Sequence, residues 1–343
     1  MAERETGQLS LADSMVAGVG RNAVLERLDG LIDWGCVREL LAEIHGSRRG
    51  RKSYPSVAML KALLLAQWYD LSDPALEEAL ADRLSFRRFC GFALDEETPD
   101  HVTIFRFREA LRARGLADRV FAEITRQIDA HGVIVRRGTL IDATLVEAAV
   151  KRPKPPRERR SDEARPSSAE GTGTAGERPP SKLVKSALDP EAAWTKKGGR
   201  RHFGYKAHVG VDQGSGIIRR QCLTPANVND TVPADDLVCG DECAVYADSA
   251  YDKKARRAAL RARSIKPRLM FRANKHHPLS ARQEAYNEAV GRRRAPVEQV
   301  FAQMKRLCGW TRVRYIGQAR NAVHLALLCM ALNLKRLAVL VPP

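Results

Sequence analysis

The sequence predicts a mixed α/β domain preceded by an all-α, helix-turn-helix-like N-terminal domain. Two observations predict it. Residues 1–135 carry apolar side chains at helical spacing, and at Gly138 the pattern changes to short β-branched or alternating segments interleaved with helical ones. The change sets the expected domains at 1–135 and 136–343.

In the first region "YPSVAMLKALLLAQWYDLSD" has apolar residues at helical spacing and follows a basic cluster, "HGSRRGRKS". "SDPALEEALADRLSFRRFCGF" opens with Ser72 and Asp73 ahead of Pro74, a cap followed by the proline that the first helical turn tolerates. A further helical segment runs from a cap at Thr98 or Asp100 to a stop at Gly132. Short helices bearing Arg87, Arg88, Arg106, Arg108, Arg112 and Arg114 suit a DNA-binding or dimerisation unit.

In the second region "GTLIDATLVEA" is β-branched and bounded by turn residues, a strand. Residues 151–182 then hold Arg, Lys, Pro, Ser and Gly with little to bury, which predicts a disordered basic insertion. "RHFGYKAHVGVD" alternates Phe203, Tyr205, Ala207, Val209 and Val211 on one face, and "DQGSG" turns it into "IIRRQCLT", a hairpin. "CAVYADSAYD" is a short buried strand ending at Asp248. Residues 253–275 contain ten Lys or Arg and no acid, helical at first and a strand at "KPRLMFR". A helix starting at Pro296 follows, and the apolar C-terminal run is a core helix, interrupted by His324, Asn333, Lys335 and Arg336 before it reaches membrane-spanning length.

The chain of 343 residues carries 58 Lys and Arg against 41 Asp and Glu, a formal charge of +17. Such an excess favours a polyanion, because each neutralised phosphate releases condensed counterions. Seven scattered Cys without paired zinc-ligand spacing predict reduced thiols in a cytoplasmic protein. The glycines match neither a phosphate-binding loop nor a dinucleotide fingerprint, which argues against a nucleotide cofactor.

Three carboxylates attract chemistry. Asp142 in "LIDAT" and Asp248 in "VYADSAY" interrupt strands where an apolar residue belongs, although acids at strand ends and turns are common. A half-buried carboxylate needs a cation or a metal. Glu298 is the lone acid between Gly291 and Arg320, among eight Lys or Arg. In a helix from Pro296 it complements the helix dipole or forms an ion pair; it also shares a face with Lys305, away from Val297, Val300, Phe301 and Met304. Three such acids suit two Mg²⁺ ions promoting in-line phosphoryl displacement, with neighbouring cations gripping phosphate.

"GTLIDATLVEA", "DPEAAWTKKGGRRHFGYKAHVGVD", "VYADSAYD" and "RRRAPVEQVFAQMKR" together resemble the DDE transposases of bacterial insertion sequences, in the IS-five-like group. The resemblance covers nearly the whole chain outside 151–182. The last stretch matches the family's Tyr-x2-Arg-x3-Glu-x6-Lys signature at Arg294, Glu298 and Lys305, with Gly291 standing where the family has Tyr. It implies a ribonuclease-H-like catalytic domain, with Asp142, Asp248 and Glu298 as catalytic metal ligands for Mg²⁺, or Mn²⁺ as a substitute. Arg294 and Lys305 would then hold phosphates, with Arg292, Arg293, Arg306, Lys196, Lys197, Lys206 and His208 as further DNA contacts. The implied partners are double-stranded DNA, at inverted-repeat ends and at a target, and a second copy of the chain. A ribonuclease-H-like nuclease that does not join strands, or a non-catalytic DNA-binding repressor, are the alternatives.

Overall fold

The computed structural model describes Glu3 and residues 18–45, 52–153, 186–273 and 278–342. From residue 154 onward the expected insertion at 151–182 lies outside the described residues.

The helical region contains α1 (Ala23–Gly30), α2 (Trp34–Leu41), α3 (Ser56–Trp68), α4 (Asp73–Asp82), α5 (Leu84–Cys90), α6 (His101–Ala113) and α7 (Leu116–Ala130). Ser72 caps α4 by accepting from the Ala75 N–H, and Asp100 caps α6 through Thr103. The segment between Asp100 and Gly132 is two helices, because Gly115 turns the chain at φ +61°. Two of the basic residues suggested for DNA have structural work instead. Arg87 is buried and donates to the carbonyls of Ala93, Leu94 and Glu96. Arg108 is buried against Asp73 and the Tyr315 ring.

The sheet contains β1 (Thr139–Glu147), β2 (Ala193–Lys197), β3 (Arg200–Asp212), β4 (Ile218–Pro225), β5 (Ala244–Ala247) and β6 (Lys266–Leu269). Its order is β2-β3-β1-β5-β6, with β4 also paired to β3. β1 to β4 form antiparallel pairs, while β5 and β6 run parallel to β1. β2 escapes the alternation argument because its five residues run from half-buried Ala193, Trp194 and Thr195 to exposed Lys196 and Lys197 without alternating. It is joined to β3 by Gly198 and Gly199 at φ +55° and +77°, a two-residue turn that side chains with a Cβ resist. Helix α8 (Lys254–Ala262) links β5 to β6, and a small core around Ile141, Val245, Leu260 and Leu269 lies there.

After β6 come α9 (Ala281–Arg294), opened by a Ser280–Gln283 capping box, then α10 (Pro296–Leu307) and α11 (Gln318–Leu340). Helix α11 has the length and composition to cross a bilayer, yet most of it is buried within the protein. It packs on α1, α3, α6, α7 and β4, so that one hydrophobic core runs from Leu28 through Val209 to Leu337. Two of the polar residues that interrupt the C-terminal run tie it to the β3–β4 hairpin. Asn333 bonds both the N–H and the C=O of Ile218, at 2.8 and 2.7 Å, and Arg336 donates to the Ser215 carbonyl. A helical region followed by this mixed sheet is the expected ribonuclease-H-like architecture.

Candidate active site

β1 and β5 pair in parallel as Thr139↔Val245 and Leu140↔Tyr246. Continuing that register by two residues sets Asp142 across from Asp248, on the same side of the sheet and at the carboxyl end of β5. Open α/β sheets bind ligands at that end.

Asp142 is half-buried. Its Oδ1 accepts from the Ala143 N–H at 2.8 Å, and its Oδ2 lies 2.7 Å from Nη1 of Arg294. Burial pushes this carboxyl above the ordinary range, Arg294 opposes the rise, and the charge of Asp248 adds to it. Asp248 directly follows β5 and caps the 3₁₀ turn Ser249–Tyr251, accepting from the Ala250 N–H at 2.8 Å. It is therefore a turn acid as well as a neighbour of Asp142.

Glu298 stands exposed in the first turn of α10. The inner face of that helix is Val297, Val300, Phe301 and Met304, all buried as their spacing predicts, and the helix packs on β1. Arg294, the last residue of α9, reaches Asp142 and so ties the α9–α10 junction to the middle of β1. Glu298 is thus held one helical turn from the residue that touches Asp142. Among the described residues no three His, Cys, Asp or Glu lie close enough together to hold one metal ion. The donor set of Asp142 and Asp248 nonetheless fits a hard divalent cation such as Mg²⁺, which takes one or two protein carboxylates and completes its shell with water and phosphate oxygens. A second ion would need Glu298.

The cations expected to meet DNA fall into distinct groups. Lys305 is half-buried, and burial and then the charge of Lys197 lower its pKa, so the two ammonium groups feel one another. Lys196 and Lys197 lie at the exposed end of β2, paired with Arg201 and Arg200 across the Gly-Gly turn. Arg306 is exposed, Arg292 pairs with Glu288, and Nη1 of Arg293 lies 3.3 Å from the Tyr246 hydroxyl. Lys206 is held by Asp230 and the Val228 carbonyl, both at 2.8 Å. His208 requires a correction. It is fully buried in the middle of β3 with Nε2 on the Thr224 hydroxyl, because β1 and β4 flank it, and burial lowers its pKa to about 4. It offers DNA neither a surface nor a charge.

Other residues at the site carried weaker sequence signals. Asp230, which has the look of a turn acid, acts on the ionisation of Tyr251, a fully buried residue three positions after Asp248 that packs with Ile141 and Val245. Thr195, Lys206, Asn229, Asp230, Ser249 and Arg272 line a polar cleft next to Asp248. Arg200 and Arg201 extend the basic hairpin tip; the "TKKGGRR" turn signal points to them.

A family model described as "Transposase DDE domain" matches residues 134–334, and one described as "Transposase domain (DUF772)" matches residues 14–110. No solved structure matches the chain.

Proposed function

The chain belongs to the DDE-type transposases of insertion sequences, and from that premise we propose that it binds the terminal inverted repeats of its element, cuts the DNA at the element ends and joins the freed 3′-hydroxyls to target DNA. The observation that carries this reading is Asp142 facing Asp248 beneath a helix junction that brings Arg294 onto one carboxylate and Glu298 one turn away.

Asp142, Asp248 and Glu298 would hold Mg²⁺, or Mn²⁺ in its place. Bound metal supplies activation of the attacking oxygen and stabilisation of the leaving oxygen in an in-line displacement. The remaining work falls to the chain's own side chains. Nη1 of Arg294 is engaged by Asp142, while its Nε is buried and lacks a hydrogen-bond partner among the described residues, which leaves one donor for a phosphate beside the scissile bond. Lys305 and Lys197 repel one another, and a phosphate between them relieves that repulsion. Lys196 and the hairpin tip, with Arg292, Arg293 and Arg306, then follow the backbone of the same duplex. In this reading residues 1–135 serve DNA binding and dimerisation, residues 136–343 serve catalysis, and two copies bridge two element ends.

The test is an incubation of the purified protein with Mg²⁺, DNA carrying the element's ends, and a target plasmid. Joined products with the element's 3′ ends covalently in the plasmid support transposition. Cuts without joining indicate a nuclease, and binding without cuts indicates a repressor.

A further inference from the structure

A cleft of about 430 Å³ opens beside the turn that Asp248 caps. Thr195 of β2, Lys206 of β3, Asn227 and Asp230 from the loop after β4, Ser249 of the turn and Arg272 beyond β6 line it. Strand register sets which side of the sheet it occupies. Lys206 pairs with Leu145 and Val209 with Asp142, and residues three apart on one strand point to opposite faces. Lys206 therefore lies on the face away from Asp142 and the Arg294 that touches it. Thr195 shares the Lys206 face, because it pairs with His202, four residues away along β3. The aspartate pair thus has the α9–α10 junction on one side of the sheet and this cleft on the other, with the Asp248–Ser249 turn as their common edge.

The two sides differ in charge. The junction side carries Arg294 and, along α10, Lys305 and Arg306. In the cleft the Lys206 ammonium and Asp230 neutralise one another at 2.8 Å, and Arg272 is the cation there without an acidic partner among the described residues. The side chains of Thr195, Asn227 and Ser249 also have no hydrogen-bond partner among the described residues, which leaves two hydroxyls and an amide for a ligand. In joining, the element's 3′-oxygen forms a bond to a target phosphorus, the bond from that phosphorus to the target's own 3′-oxygen breaks, and the attacking hydroxyl gives up its proton to solvent. Attacking and leaving oxygens lie in line through the phosphorus, so element and target run away from the aspartates on opposite sides. The element end is held through both steps, which suits the more strongly charged side; DNA that arrives only for joining, at any sequence, suits hydrogen bonds and little net charge. We propose that the cleft seats the target strand, with Arg272 on a phosphate and Thr195, Asn227 and Ser249 bonding its backbone oxygens. The inference rests on the transposase reading above and assigns that reading its second DNA site.

The experiment compares wild type, Arg272→Gln and the double variant that adds Asn227→Ala, on two substrates with Mg²⁺. Uncut element ends report single-turnover cleavage; pre-cut ends with a free 3′-hydroxyl, given increasing target plasmid, report joining. Both residues are exposed, so the variants should melt as wild type does. Cleavage should stay within about twofold of wild type, while the target concentration for half-maximal joining rises about tenfold in the double variant and the maximal rate is kept. Arg272→Gln should also lower the log–log salt slope of target capture by about one, which a merely structural role would not do. Joining by the double variant at the wild-type target concentration would overturn the cleft assignment and leave the transposase reading standing. Equal loss of cleavage and joining would put the element's own DNA in the cleft and overturn the assignment as well. Wild-type protein that neither cuts ends nor joins them would overturn the transposase reading and the inference with it.

Discussion

Arg294→Gln separates the electrostatic roles at the site. The wild-type guanidinium lies 2.7 Å from Asp142, with the two side chains 15% and 18% exposed. Removing one member of a fully buried pair costs about 3–5 kcal/mol; slight solvent access at both ends here lowers the expectation to about 2–3 kcal/mol. Asp142 already titrates above the ordinary carboxylate range through burial, and losing Arg294 raises it further. An acid whose folded pKa is raised favours folding in its protonated form. Its penalty is therefore absent below its unfolded pKa, near 4, and grows as pH rises through the folded value. The stability difference between Arg294→Gln and wild type should accordingly be largest at pH 7–8 and shrink towards pH 4. Saturating Mg²⁺ should restore part of it at pH 7, since the cation takes over the lost positive charge. Urea unfolding of both proteins across this pH range, with and without Mg²⁺, measures the effect. A deficit that ignores both pH and Mg²⁺, or no deficit at all, refutes the reasoning.

Further outcomes follow from the same structure. His324 is fully buried, both ring nitrogens lack partners among the described residues, and burial lowers its pKa to about 3. A lowered histidine keeps its stability contribution above its unfolded pKa of about 6.5 and loses it as pH falls, by roughly 2 kcal/mol at pH 5. His324→Leu should flatten the fall in unfolding free energy between pH 7 and pH 5 by that amount. Asn333→Ala strips both hydrogen bonds from the buried Ile218 backbone and should cost about 2–4 kcal/mol in denaturant unfolding. Lys197→Gln and Lys305→Gln should each weaken duplex binding across sequences and reduce the log–log salt slope by about one, as measured by fluorescence anisotropy.

Much of the architecture was legible because burial imposes a period. Phe203 to Val211 alternate along β3, and Val297, Val300, Phe301 and Met304 repeat along α10, so both elements and their inner faces could be read directly. The capping residues Ser72 and Asp100 were legible for a local reason, since each accepts from a backbone N–H three residues on. β2 was not, because a short strand that grades from half-buried to exposed has no alternating pattern; only the Gly-Gly turn announces it. Asp142 and Asp248 stood out as acids within apolar strands. Their mutual approach depends on parallel pairing between segments about a hundred residues apart, which no local pattern encodes. Likewise the engagement of Arg294 by Asp142 and the burial of His208 follow from tertiary neighbours.

The central claim is that Asp142, Asp248 and Glu298 act together on one phosphodiester. Single-turnover cleavage of an element end, with DNA and Mg²⁺ saturating, tests it most directly when wild type is compared with Asp142→Asn, Asp248→Asn and Glu298→Gln. The account expects each variant to bind the end while cutting at least about a thousandfold more slowly, a loss of some 4 kcal/mol of transition-state stabilisation; Asp248→Asn and Glu298→Gln should melt much as wild type does, and Asp142→Asn lower, because it breaks the pair with Arg294. Cleavage by Glu298→Gln within a few fold of wild type would remove Glu298 from the site and contradict the three-carboxylate account.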